Sequence, residues 1–132
     1  MNNINIGIND NTCYNYYGKV ERVIDGDTAV CSVDLGFGII LKKQSIRLHG
    51  INTPETRTKD LVEKAAGMKA KEYVKERLKP GDKVIISSCD YDKRGKYGRM
   101  LAKIYYYDKN GKIVNLNDEL LRTGLAEKFM AD

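Results

Sequence analysis

Residues 60–81, DLVEKAAGMKAKEYVKERLKPG, form the stretch that decides how the rest of the chain folds. Apolar side chains recur in it at a spacing of about four residues, which places them along one face of an α-helix. The row consists of Val62, Ala66, Ala70, Val74 and Leu78, flanked by Leu61, Ala65 and Tyr73. Asp60, with Glu63 three residues later, resembles a capping box, and Pro80-Gly81 ends the pattern. The stretch therefore predicts one long helix.

Alternating polar and apolar residues predict strands on both sides of this helix. Three strands lie before it, at 18–24, 27–33 and 39–51, the last whole or broken, and two lie after it, at 83–89 and 99–107. A short second helix is predicted at 116–123, ending at Gly124. Five strands with a helix after the third match the OB-fold. We therefore predict an α+β protein, a five-stranded Greek-key barrel with one long helix and a short C-terminal helix.

Length and composition fit one globular domain. The chain has 132 residues, of which 42% are hydrophobic and 31% charged, an ordinary composition for a folded protein. We expect a flexible, asparagine-rich arm at residues 1–14 and a single domain at residues 15–132. No apolar run approaches the ~20 residues of a membrane span, which argues against an integral membrane protein. We expect a monomer with no membrane partner.

The first residues and the cysteines indicate a reducing compartment. Residues 1–11 lack the basic and apolar regions of a secretory signal, so we expect a cytoplasmic protein, with secretion by another route left open. Cys13, Cys31 and Cys89 include no CxxC pair and make neither a disulfide scaffold nor a zinc site. His49 is the only histidine. Any bound metal would therefore be held mainly by oxygen, as Ca²⁺ and Mg²⁺ are.

Positive charge is concentrated late in the chain. The formal net charge is +5, but residues 93–112 contain seven basic side chains and one acidic side chain. Lys93, Arg94, Lys96 and Tyr97 open this stretch. Basic and aromatic side chains interleaved in this way suit a phosphate backbone with bases stacked beside it. A solvated hairpin explains the same charge pattern, and both interpretations stay open at this point.

Three short motifs carry groups that could do chemistry. Asp25-Gly26-Asp27 places two carboxylates where both could approach a cation, although the same tripeptide is common in turns. Arg47 lies in the third predicted strand, and the oxygen donors of Asn52-Thr53-Pro54-Glu55 follow it, with Pro54 fixing where Glu55 emerges. Lys96-Tyr97-Gly98-Arg99 leads into the fifth strand. Each motif alone is also explained as an ordinary loop.

Together, and in this order, the motifs resemble the staphylococcal nuclease (thermonuclease-like) family. The matching stretches are 23–28 (VIDGDT), 46–56 (IRLHGINTPET), 92–104 and 115–126, and the resemblance covers about residues 18–129. The family it resembles consists of OB-fold, Ca²⁺-dependent phosphodiesterases that act on DNA and RNA. The resemblance implies one bound Ca²⁺, with Mg²⁺ the weaker alternative, and DNA or RNA as the partner.

The resemblance implies a metal site. Asp27 would be a direct ligand, Asn52 and the Thr53 carbonyl would complete the protein's share, and Asp25 would support the site from behind. The best-known member of the family has an aspartate at the position of Asn52. An amide oxygen is also a normal Ca²⁺ ligand, but the site loses one formal charge. We expect this exchange to weaken Ca²⁺ binding by roughly ten- to a hundredfold.

The resemblance also implies how the phosphodiester would be cut. Glu55 would be the general base for the attacking water, Arg47 and Arg99 would clamp the phosphate, and cleavage would leave a 3′-phosphate. Two guanidinium groups and a dication suit the charge that builds on the phosphoryl oxygens. The residues expected to hold the substrate are Lys93, Arg94, Lys96 and Tyr97. Phe129 lies where a base-stacking tyrosine of the family is expected.

A second function stays open: a non-catalytic OB-fold module of the same family that binds nucleic acid or protein. The residues that favour the enzyme are Asp25, Asp27, Arg47, Glu55 and Arg99, all of which are present. A module that only binds would have little need for this set.

Overall fold

A computed structural model describes residues 14–88 and 99–129 of the chain. The elements in chain order are β1 (Tyr14–Asp25), β2 (Thr28–Asp34), β3 (Ile40–Leu48), β4 (Ile51–Asn52), α1 (Leu61–Arg77), β5 (Lys83–Ser88), β6 (Met100–Tyr107), β7 (Ile113–Asn115), α2 (Leu116–Arg122) and β8 (Glu127–Lys128). The predicted order of three strands, a helix, two strands and a helix is confirmed. The additional strands β4, β7 and β8 are two or three residues long.

Five strands close into the predicted barrel. Neighbouring strands run antiparallel in the order β3, β2, β1, β5 and β6, and β3 pairs with β6 in parallel. Arg47 of β3 lies opposite Leu101 of β6 in this pairing. Arg99 lies two residues before Leu101, directly ahead of β6. The closed barrel therefore places the two predicted phosphate-binding arginines on neighbouring chain segments.

Two strand boundaries differ from the prediction. β1 begins at Tyr14, the last residue of the predicted arm, and Tyr14 pairs with Ser88 of β5. The long third strand is broken at His49-Gly50, where Gly50 has a φ of +78°, a left-handed conformation that glycine adopts without a Cβ clash. The break turns the chain into β4, which pairs with β8. It thereby starts the loop that carries the candidate site.

The core fills the barrel and continues beneath both helices. Its side chains include Val20, Cys31, Ile46, Val84, Ile104, Leu116 and Leu120. Cys31 is fully buried among them, and burial raises the pKa of its thiol to about 12. Among the described residues, no helix is both long enough and apolar enough to cross a membrane.

The N-terminus of α1 is capped as predicted, but by a different set of bonds. Asp60 Oδ1 accepts the N–H groups of Val62 and Glu63 at 3.0 and 3.2 Å, which satisfies two free donors of the first turn. The N–H of Asp60 donates to Thr58 Oγ1 at 3.2 Å. The threonine hydroxyl therefore takes the place that Glu63 would have in a capping box.

The predicted apolar row of α1 is correct in its second half and wrong in its first half. Its buried members are Ala70, Val74 and Leu78, whereas Val62 and Ala66 are exposed. Gly67 is the buried residue of the first half. A Cβ at Gly67 would lie 2.6 Å from the Pro54 carbonyl oxygen and 2.7 Å from that of Glu55. The helix approaches this loop so closely that only glycine fits.

The two helices are joined to the barrel by a polar cluster. Glu119 of α2 accepts from the Tyr106 hydroxyl at 2.6 Å and pairs with Arg77 Nε at 3.2 Å. The Arg77 guanidinium carbon lies 3.4 Å from the centre of the Tyr73 ring. Because the charged groups are paired and partly covered, the cluster stabilises the contact between α1, α2 and β6.

Candidate active site

The turn between β1 and β2 carries the two aspartates. Gly26 lets this turn lie close to α1, since a Cβ there would be 2.8 Å from the Ala70 side chain. The Asp27 carbonyl accepts the N–H of Leu48 at 2.8 Å, which fastens the turn to the end of β3. The backbone of Asp27 is thus fixed by contacts to a helix and a neighbouring strand.

The Asp27 carboxylate is held by the residues around it. Its Oδ1 accepts from the Thr28 hydroxyl at 3.1 Å, and its Oδ2 accepts from the backbone N–H of Thr53 at 3.3 Å. The same Oδ2 lies 3.6 Å from Nη2 of Arg47. Asp27 therefore faces both the loop after β4 and the guanidinium group.

Arg47 is buried, with 6% of its surface exposed. Its Nη1 donates to the carbonyl oxygens of Leu48 and Ile51 at 3.0 and 2.9 Å, and its Nη2 donates to Asn52 Oδ1 at 3.2 Å. These bonds span the break between β3 and β4. The guanidinium is therefore a fixed positive charge that also holds the turn, because a buried charge needs partners at this depth.

An aromatic ring covers the same guanidinium group. Its carbon atom lies 5.7 Å from the centre of the Phe129 ring. The N–H of Phe129 donates to the Gly50 carbonyl at 2.9 Å, just beyond the pairing of β4 with β8. The structure places Phe129 over Arg47, where it shields the charge from water.

Asp25 is bonded to the loop after β4, and Glu55 belongs to that loop. Asp25 Oδ1 accepts from the Thr56 hydroxyl at 2.7 Å, which connects the β1–β2 turn to that loop. Glu55 is exposed, and its backbone lies against Gly67 of α1. Its carboxylate therefore projects from a backbone that the helix holds in place. An open pocket of about 380 Å³ adjoins it, lined in part by Asn52, Thr53 and Glu55.

The oxygen donors at this place fit a hard cation. Within 14–88 and 99–129 no group of three or more His, Cys, Asp or Glu side chains could hold a metal. The candidate donors are instead two carboxylates, one amide oxygen and one backbone carbonyl: Asp25, Asp27, Asn52 and Thr53. Such mixed oxygen sets are what Ca²⁺ accepts, and they exclude soft metals that prefer sulfur or imidazole. Ca²⁺ therefore stays a prediction for this site.

The remaining predicted residues belong to β6 and the segment before it. Arg99 is half-buried and directly precedes β6, beside the end of β3. The predicted substrate-binding residues Lys93, Arg94, Lys96 and Tyr97 lie outside the described residues.

Asn117 is a positioning residue that the sequence analysis missed. It is buried on α2, and its Nδ2 donates to the carbonyls of His49 and Ala102 at 2.9 and 3.3 Å. Its Oδ1 accepts the N–H of Ile104 at 3.2 Å. It thereby fixes the turn after β3 against β6. The one available signal was an asparagine next to Leu116 in the predicted short helix.

The fold and the site together define a class: a small OB-like barrel in which one carboxylate, Asp27, faces the guanidinium of Arg47 at the β1–β2 turn. The chain matches the family described as "Staphylococcal nuclease homologue" over residues 45–132. It therefore belongs to the staphylococcal nuclease family, as the motifs predict. The aspartates of the β1–β2 turn precede the matched region and extend the resemblance toward the N-terminus.

Several curated proteins are similar to the chain. A thermonuclease of Staphylococcus hyicus is 36% identical over 110 residues, covering 82% of this chain and 56% of that protein. The endonuclease YhcR of Bacillus subtilis is 32% identical over 119 residues, covering 86% of this chain and 9% of that protein. An uncharacterised protein of Methanocaldococcus jannaschii is 36% identical over 135 residues, covering 89% of this chain and 61% of that protein. The chain thus spans less than two thirds of the length of each.

Proposed function

We propose that this protein is a Ca²⁺-dependent phosphodiesterase that hydrolyses DNA and RNA, with Mg²⁺ a poorer substitute. The observation that carries the proposal is that Arg47 Nη2 lies 3.6 Å from Asp27 and 3.2 Å from Asn52, a residue that also lines the pocket at Glu55. Oxygen donors for a dication and a fixed positive charge are thus together at one place. The thermonuclease and endonuclease among the relatives support the same activity.

The metal would be held by Asp27, the Asn52 amide oxygen and the Thr53 carbonyl, with Asp25 adding negative charge nearby. When bound, Ca²⁺ would neutralise charge on the phosphoryl oxygens and position the scissile group. The bond from Thr53 N–H to Asp27 keeps the carboxylate and the Thr53 backbone in register. This bond supports a shared role for the two groups in holding the metal.

Glu55 would take the proton from the attacking water. Its carboxylate is exposed at the pocket, where water and a polyanionic substrate both have access. Attack at phosphorus would break the bond to the 5′ oxygen, leaving a 3′-phosphate and a 5′-hydroxyl. A carboxylate that removes a proton in this way contributes typically 10²–10⁴-fold to the rate.

The two arginines would stabilise the charge that develops in the transition state. Arg47 would act mainly through its fixed charge, because its Nη1 is already bonded to two carbonyls. Arg99, at the start of the adjacent strand, would donate to the phosphate from the other side. The part of the nucleic acid beyond the scissile phosphate would be held by Lys93, Arg94, Lys96 and Tyr97.

Cleavage assays on plasmid DNA and on RNA, with Ca²⁺, Mg²⁺ or excess EDTA, test the proposal. Cleavage of both substrates with Ca²⁺, weaker cleavage with Mg²⁺ and none with EDTA is the expected result. Full cleavage in EDTA would overturn the metal requirement. Binding of nucleic acid without cleavage under any condition would favour the non-catalytic module instead.

A further inference from the structure

The hairpin between β2 and β3 ends in an apolar tip. Four large side chains within six residues are exposed there, and Phe37 is completely exposed. These tip residues are Leu35 (41% exposed), Phe37 (105%), Ile39 (54%) and Ile40 (45%). Single exposed apolar residues are common, but a cluster of this size marks a surface that meets a protein or a membrane.

The tip has a defined shape. The N–H of Leu35 donates to the Ile39 carbonyl, and the N–H of Ile39 donates to the Gly36 carbonyl, both at 2.9 Å. Phe37 has a φ of +55° between two glycines that also have positive φ. A bulky residue rarely adopts this conformation, and here it makes the ring project from the turn. The tip is therefore a convex protrusion and offers no groove of its own.

A groove beside the tip is lined by lysines. This open groove of about 750 Å³ begins at Ile40, and the lysines that line it are Lys19, Lys42, Lys43 and Lys83. The two carboxylates in the groove are Glu21 and Asp34. Glu21 accepts the N–H of Lys43 at 2.8 Å, and Asp34 accepts the N–H of Gly36 at 2.9 Å. The four lysines outnumber the two carboxylates, so the groove carries a net charge of +2.

We propose that this hairpin docks the protein onto an anionic phospholipid bilayer. The tip side chains enter the interface between headgroups and acyl chains, and the lysines of the groove face the lipid phosphates. An apolar protrusion beside a lysine-lined groove matches the two forces that hold peripheral proteins on such surfaces, apolar burial and attraction to anionic lipid. The proposal reverses the expectation of no membrane partner, and it needs no membrane-spanning segment.

The shape and charge favour a bilayer over other occupants. A fluid bilayer receives a convex tip without a matching pocket, which a folded partner would have to supply. A symmetric contact with a second copy would bring the lysines of both copies together and repel. Nucleic acid would use the lysines, but three of the four tip residues are aliphatic and cannot stack on bases. A bilayer is the one surface that uses both features.

The candidate active site stays accessible in this arrangement. Ile40 and Arg47 lie seven residues apart on the same strand, a separation of roughly 23 Å at ~3.3 Å per residue. The docking surface and the nuclease site are therefore at opposite ends of β3. The docking proposal does not depend on the proposed function and is tested without a cleavage assay.

Tryptophan fluorescence gives a direct test, because the chain contains no tryptophan. In the variant Phe37→Trp, vesicles that contain phosphatidylglycerol should shift the emission to shorter wavelength, and brominated acyl chains should quench it. Leu61→Trp is the matched control, since Leu61 is 78% exposed on α1 and lies away from the hairpin. Its emission should stay unchanged. If vesicles neither shift nor quench the emission of Phe37→Trp, the proposal is overturned.

Vesicle sedimentation of the otherwise unaltered protein gives the second test. The wild type should bind phosphatidylglycerol vesicles at low salt and bind pure phosphatidylcholine vesicles much more weakly. Phe37→Asn with Ile39→Ser should weaken binding by roughly ten- to a hundredfold, the loss expected for two apolar side chains that leave the interface. Lys19→Gln with Lys42→Gln should weaken it and flatten its salt dependence. Circular dichroism confirms that the variants are folded.

Two other outcomes would also overturn the proposal. A Phe37→Trp shift that depends on protein concentration without vesicles would assign the tip to a second copy of the chain. A shift produced by single-stranded DNA, with none produced by vesicles, would assign it to nucleic acid.

Discussion

Asn52 is the residue whose chemical identity most affects the candidate metal site. It offers an amide oxygen, which Arg47 already contacts at 3.2 Å, beside the Asp27 carboxylate. Asn52→Asp should tighten Ca²⁺ binding by about ten- to a hundredfold, because a carboxylate adds a full negative charge at the dication. Calcium titration by calorimetry measures the change. Asn110→Asp is the matched control, since it adds the same charge on the exposed β6–β7 turn. Equal affinity in Asn52→Asp and wild type would mean that Asn52 is not a ligand.

Truncation of either arginine should slow cleavage. Arg99→Ala should lower kcat by orders of magnitude. Arg47→Ala should lower kcat as well, and it should also destabilise the fold by ~2–4 kcal/mol, because the carbonyls of Leu48 and Ile51 lose their donor. Cleavage kinetics and denaturant unfolding of both variants provide the comparison. A change in KM alone for Arg99→Ala would contradict its role, and unchanged stability of Arg47→Ala would contradict the assigned bonds.

At the scale of elements, α1 holds the loop that carries Glu55. Gly67 packs against the carbonyls of Pro54 and Glu55 with no room for a methyl group. Gly67→Ala should therefore push this loop away and lower kcat by about tenfold or more, since small displacements of a catalytic group are costly. The gain in helix propensity is ~1 kcal/mol and the overpacking cost ~1–3 kcal/mol, so stability should be unchanged or slightly lower.

A matched variant on the same helix separates positioning from stability. Ala65 is exposed, and Ala65→Gly should destabilise α1 by ~1 kcal/mol without altering kcat. Cleavage rates and thermal unfolding of both variants are the measurements. If Gly67→Ala and Ala65→Gly reduce kcat equally, the contact at Gly67 does not position Glu55.

The order of elements could be predicted from sequence because hydrophobic periodicity and turn residues are local signals. The buried face of α1 could be predicted only where the helix covers the barrel core, at Ala70, Val74 and Leu78. In the first two turns the partner is the backbone of the loop at Pro54 and Glu55. Burial there depends on a contact between distant segments, which hydrophobic periodicity does not indicate. The prediction that Val62 belongs to the buried face was therefore wrong.

The candidate site residues could be proposed as a set, because their motifs resemble a family whose chemistry uses them, and their roles stay predictions. Their contacts could not be foreseen. The bonds from Arg47 to Leu48 and Ile51 use backbone carbonyls that any residue would supply. The role of Asn117 likewise depends on where β6 passes the turn after β3. The residue types in the sequence do not indicate such contacts.

At the scale of the whole molecule, the polar cluster of α1, α2 and β6 should make the protein less stable at high pH. Burial, together with the bond to Glu119, raises the pKa of Tyr106 to about 12. The unfolded chain releases this proton near pH 10. Ionisation therefore favours the unfolded state, and the contribution to stability is complete below about pH 10 and falls as the pH rises toward 12.

The free energy of unfolding, measured by denaturant between pH 8 and 11.5, should therefore fall across the upper part of this range. Tyr106→Phe removes the ionising hydroxyl and should make the fall shallower. Burial raises the pKa of Tyr73, Tyr105 and Tyr107 too, so part of the fall should remain. An identical pH dependence in Tyr106→Phe and the wild type would contradict the assignment to Tyr106.

The barrel as a whole explains how the site is assembled from distant segments. Parallel pairing of β3 with β6 brings Arg99 beside the strand of Arg47, and the β1–β2 turn meets the loop after β4 at Asp27 and Thr53. The central claim is that this assembly hydrolyses a phosphodiester with Glu55 as the base.

The most direct measurement is single-turnover cleavage of a defined DNA oligonucleotide by wild type and Glu55→Gln at saturating Ca²⁺. The wild type should produce 3′-phosphate and 5′-hydroxyl ends, identified by mass spectrometry. It also predicts that Glu55→Gln binds Ca²⁺ as tightly as the wild type by calorimetry but cleaves at least 10²-fold more slowly. Equal cleavage rates in the two proteins would contradict the account.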